Sequence, residues 1–112
     1  MAPFRSLVLA NVVVMTIALI GATQYASALV ADDVTSKMTK DTRFGYLSGL
    51  VDMLAYQTAA SGDREKGNCI TDAFYREKMK DSWARLDEVL AKFPDKRPEI
   101  LVSVLANQLC KK

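Results

Sequence analysis

The sequence predicts an all-α fold, a small bundle of three to four helices braced by one disulfide. Apolar residues recur at helical spacing through most of the chain after residue 41, and no alternating strand pattern competes with them. The only two cysteines, Cys69 and Cys110, fall at ends that two antiparallel helices would bring together.

The start of the chain, MAPFRSLVLANVVVMTIALIGATQYASA, reads as an export signal. It carries one cation at Arg5, no acid, an apolar run from Leu7 to Ala22, and Ala26 and Ala28 at A-x-A spacing, so cleavage is expected after Ala28. The run is shorter than the about 20 residues a bilayer-spanning helix needs and contains Asn11, which favours a cleaved leader over an anchor. No membrane association is expected after cleavage. The remaining 84 residues hold 14 cationic and 13 acidic side chains, a formal charge of +1. So balanced a chain offers no field for nucleic acid or anionic lipid.

Residues 29–41 are polar and lack a sustained apolar period, so a flexible N-terminal arm, or at most a weak extra turn, precedes a helical domain over 42–112. Helix one is expected over 42–60, because Leu47, Leu50, Val51, Leu54 and Thr58 share a face, Asp41 or Thr42 can cap it, and Gly62 lies just past its end. Gly45, Gly49 and Asp52 line a second face at i, i+4 and i+7. Two glycines inside a helix cost roughly 1 kcal/mol each, so close approach of a neighbouring backbone is expected at this groove.

Ser61 to Asn68, with two glycines around four consecutive charges, reads as an exposed loop. Helix two then starts between Thr71 and Arg76 and runs to Phe93, where Pro94 ends it; Tyr75, Met79, Trp83, Leu86, Val89, Leu90 and Phe93 form its stripe. Asp72 with Arg76, Asp81 with Arg85, and Glu88 with Lys92 lace its other face at i, i+4. Helix three, 97–109, carries Pro98 in its first turn and points Ile100, Leu101, Val104, Leu105 and Leu109 inward. A helix over 71–93 would span about 34 Å and one over 97–109 about 20 Å, so either helix two begins late or residues 69–75 fold back along it.

Export favours a structural bridge between Cys69 and Cys110, whose spacing has nothing of a C-x-x-C redox or zinc motif. Closing a loop of 42 residues is worth about 4 kcal/mol in the chain-entropy account, comparable to the net stability of so small a domain. The chain has no histidine, no G-x-S-x-G elbow and no phosphate-binding glycine motif, so neither catalysis nor a metal or other cofactor is expected. Recognition remains. The charged, glycine-hinged residues Asp63, Arg64, Glu65 and Lys66 are the candidate partner-binding loop. Among the aromatics, Tyr46, Tyr56, Tyr75, Trp83 and Phe93 divide between core and interface.

The string GYLSGLVDML, a lone Cys69, a helix ending in VLAKFPDKRPE and an apolar helix closing on ANQLC resemble the Rap/Tai family of immunity proteins. Gly45, Tyr46, Gly49, Asp52, Cys69, Leu90, Pro94, Leu105 and Cys110 carry the resemblance, which covers residues 44–110. The family often places prolines where this chain has Thr71 and Leu109, so the turns around the bridge are expected to differ. The resemblance implies a periplasmic antidote, often a homodimer, that sterically plugs the peptidoglycan-cleaving site of a type VI secretion amidase effector. A second expectation is a periplasmic acid-stress chaperone of the HdeA kind, since protonating 13 carboxylates would take the mature chain from +1 to +14.

Overall fold

A computed structural model describes residues 29–111. The export signal and its cleavage position after Ala28 lie outside the described residues. The architecture is a π-helical turn, Asp33–Lys37, followed by four α-helices: α1, Lys40–Ala60; α2, Arg64–Tyr75; α3, Met79–Lys92; and α4, Pro98–Leu109. Among the described residues there is no strand. Cys69 and Cys110 are bonded, with their Cα atoms 5.9 Å apart, well inside the range a disulfide spans.

Residues 29–41 are not a flexible arm. Ala31 and Val34 are fully buried. The Ala31 amide donates to the Lys96 carbonyl at 2.8 Å and the Asp32 amide to the Pro94 carbonyl at 2.9 Å, which straps the segment to the turn between α3 and α4. Two small apolar side chains four positions or fewer apart make too short a pattern to stand out in a polar stretch, yet they suffice to fill the gap beside α3.

Helix α1 starts where Thr39 caps it, its hydroxyl accepting from the Thr42 amide at 3.3 Å, so neither Asp41 nor Thr42 is the cap. Leu47, Val51 and Ala55 form its buried face. Gly62, at φ 115°, takes the left-handed conformation that ends the helix and reverses the chain. The reversal is shorter than the expected loop: α2 already begins at Arg64, because Asp63 caps it through Oδ1, which accepts from the Lys66 amide at 3.0 Å. A cap and a first-turn acid, Glu65, outweigh what reads as a run of loop charges.

The expected helix two begins late, as α3, and residues 69–75 belong to a separate helix, α2, as the length mismatch allowed. A continuous helix from Arg64 to Lys92 would extend about 43 Å, with no neighbour of comparable length to cover it. The chain instead folds at Arg76, whose φ of −123° and ψ of −138° leave the helical region. The Trp83 indole N–H donates to the Phe74 carbonyl at 2.8 Å, satisfying an acceptor near the end of α2. Trp83 also meets the rings of Phe44 and Phe74, each at 5.2 Å, so three helices share one aromatic joint. Of the three acid-base pairs, Asp72 and Arg76 close at 3.1 Å; the other two form no ion pair.

Helix α4 buries Pro98, Leu101, Val102, Leu105 and Ala106. Ile100 and Val104, expected inside, are about half exposed at 52% and 48%. The helix is apolar over more than one face, and its neighbours cover only the face centred on Leu101 and Leu105. Ile70 and Phe74 from α2 and Leu86 and Leu90 from α3 complete the core.

Candidate functional site

Two surfaces concentrate the features that recognition needs, one between the start of α2 and the end of α4, the other on α1. At the disulfide end, Asp63, Glu65 and Lys66 line an open cleft of ≈ 520 Å³ whose far wall is the end of α4, with Asn107 and Lys111. Three of the four residues expected in a contact loop are thus brought together, on the first turn of a helix instead of a hinge; Arg64 is exposed outside the cleft lining. A second open cleft, ≈ 480 Å³, lies on the other side of Cys69 and is closed by the joint at Arg76 and Lys78. Sequence reasoning missed this one because it left the break before α3 as one of two alternatives and did not place the joint that forms the cleft.

The other surface is the solvent face of α1. Gly45, Gly49 and Asp52 lie there, but among the described residues no neighbouring backbone covers the glycines: a Cβ added at Gly45 or Gly49 would meet nothing within 4 Å. The close approach occurs at Gly67 on α2, where a Cβ would lie 2.8 Å from the Ala55 carbonyl oxygen and 2.9 Å from the Ala59 Cβ. The glycine that packs is therefore one assigned to the loop. The pairing is physically intelligible, since Ala55, Ala59 and Gly67 are the small residues that let α1 and α2 approach at the tight end of the hairpin.

Met53 and Tyr56 share this outer stripe with Gly45 and Gly49 by helical spacing. They are 55% and 71% exposed, a large exposure for apolar and aromatic side chains beside a glycine floor. Along one edge, the Tyr75 hydroxyl donates to the Ser48 carbonyl at 3.4 Å. Burial, and after it the neighbouring Asp52 carboxylate, hold the Tyr75 phenol above the usual 10.0. Along the other edge Tyr46 is half-buried, and burial followed by the charge of Glu99 on α4 raises its phenol as well. A tyrosine thus flanks each edge of the stripe, while its centre is open. Of the aromatics divided between core and interface, Trp83, Tyr75 and Tyr46 serve the packing, and Tyr56 and Phe93 face solvent.

Among the described residues, no group of three His, Cys, Asp or Glu is placed to hold a metal ion, and no helix is long and apolar enough to cross a membrane. No family model matches the chain, and no curated protein or solved structure matches it either.

Proposed function

We propose that the protein is an exported helical binding module that acts as an immunity protein, using the outer face of α1 to block the cleft of a peptidoglycan amidase. The observation that carries the reading is the exposed stripe of Gly45, Gly49, Met53 and Tyr56. Two helix-interior glycines that nothing among the described residues packs against weaken the fold without structural return there, and two large side chains beside them remain in water. A partner that lays its backbone on the glycines and buries the Met53 and Tyr56 side chains gives both features a use.

The Rap/Tai resemblance, with its periplasmic setting, supplies the class of partner: a type VI secretion effector that cleaves peptidoglycan. Of the sequence motif behind that resemblance, Gly45, Gly49 and Asp52 lie on this solvent face, where contact with another protein accounts for them better than internal packing does. The test is hydrolysis of purified peptidoglycan by the candidate amidase in the presence of the oxidised mature chain. Stoichiometric inhibition at neutral pH, abolished by Met53→Ser with Tyr56→Ser, is the expected result. Inhibition that survives this double change but disappears on reversing Arg64 and Glu65 would move the contact to the disulfide-end cleft, and no inhibition at all would remove the reading.

A further inference from the structure

We infer that residues 29–37 form an acid-releasable strap, latched by the Asp33 carboxylate, that uncovers part of the apolar core while the disulfide-braced helices stay folded. The inference is independent of what docks on α1. The strap holds to the rest of the molecule by two backbone hydrogen bonds, from Ala31 to Lys96 and from Asp32 to Pro94, and by the burial of two small side chains, Ala31 and Val34. Nothing covalent ties it to the bundle beyond its continuation into α1.

Its internal shape depends on one carboxylate. Asp33 Oδ2 accepts from the Val30 amide at 3.0 Å, and Asp33 Oδ1 pairs with Lys37 at 2.8 Å. The same side chain therefore folds back the residue preceding Ala31 and closes the turn that positions Val34. The turn is π-helical, a geometry rarely sustained without such support. Asp32 adds a lesser tie by accepting from Ser36 at 2.9 Å.

Lys37 is the cation of the latch and Asp32 its acidic neighbour on the strap. On the elements packed against the strap, α3 carries Lys80, Asp81, Arg85, Asp87, Glu88 and Lys92, and the following turn Asp95, Lys96 and Arg97, and none of these forms an ion pair with Asp33. The Lys37 hydrogen bond first, and the Val30 amide second, hold the Asp33 carboxyl below the usual 3.8. The sign follows: the native carboxylate binds its proton less readily than the unfolded one, so the latch acts fully above 3.8 and is lost as pH falls through the lower native value. Lys37 stays charged throughout, its own affinity for a proton raised by Asp33.

Release would free the Ala31 and Val34 side chains together with the surface they cover, while α1, α2, α3 and α4 keep their shared core and the bridge between Cys69 and Cys110. Hydrogen-exchange mass spectrometry on the oxidised mature chain tests this, using protection factors so that intrinsic pH dependence divides out. Protection over residues 30–37 should fall severalfold between about pH 6 and about pH 2, while α2 and α4 hold theirs. Asp33→Asn, which keeps an acceptor but no charge, should open the strap at neutral pH and flatten its pH response; Asp95→Asn, a carboxylate outside the latch, should leave the wild-type response intact. Loss of protection in the strap and the helices together at every pH, or an Asp33→Asn chain that keeps the wild-type pH response, would overturn the inference.

Discussion

Helix α1 carries two faces rich in small residues, and they behave in opposite ways. Toward α2, Ala55 and Ala59 meet Gly67 so closely that a single added carbon would collide with backbone. Toward solvent, Gly45 and Gly49 have nothing within 4 Å of where a side chain would begin. A small residue that is jammed is needed by the fold. A small residue with open space above it costs helix stability without structural benefit among the described residues, which is why the proposed function gives it to a partner.

The largest effect on this contrast should come from the disulfide, which fixes α2 against the end of α4. Replacing Cys69 and Cys110 with alanine should cost about 2–5 kcal/mol in denaturant unfolding, loosening the α1–α2 side while leaving the outer face of α1 to report no change of its own. Gly67→Ala should come next, at about 1–3 kcal/mol, because the Ala55 carbonyl that its Cβ would strike is backbone and cannot rotate away. Gly45→Ala and Gly49→Ala should go the other way, each raising stability by about 1 kcal/mol in the same measurement. Tyr56→Ser, at an exposed position, should shift stability by no more than about 0.5 kcal/mol. Equal signs for Gly67→Ala and Gly49→Ala would erase the distinction between the two faces.

Much of the fold was legible because its signals are local. The period through Leu47 and Val51, the stop at Pro94 and the start at Pro98 each act within a few residues, so α1, the end of α3 and the whole of α4 sit close to where spacing puts them. The disulfide was legible from topology, since helices joined by a short turn must return to the same end. The joint at Arg76 was legible only in part: the length mismatch with α4 called for a late start of helix two or a fold-back of residues 69–75, but no glycine or proline marks the place, which Trp83 holds through a contact nine residues away in sequence.

The candidate site shows the same division. Spacing identified Gly45, Gly49 and Asp52 as one face, but which of the chain's glycines is covered depends on how α2 docks, and that is fixed by Gly67, Ile70 and Phe74 acting together. Asp63 read as a loop charge because a cap and a loop acid look alike until the helix after it is seen. Ala31 and Val34 passed unnoticed for a related reason: their partner, the turn after α3, lies some sixty positions away.

The central claim, that the outer face of α1 exists for a partner and not for the fold, is tested most directly by measuring stability and partner affinity on one variant, Gly49→Leu. Leucine suits a helix and its Cβ meets no described neighbour within 4 Å at this position, yet its side chain would fill the floor between Gly45 and Met53. The account predicts a higher unfolding midpoint together with an affinity for the amidase weakened about tenfold or more. A variant that is stabilised and binds as tightly as the wild type would contradict it.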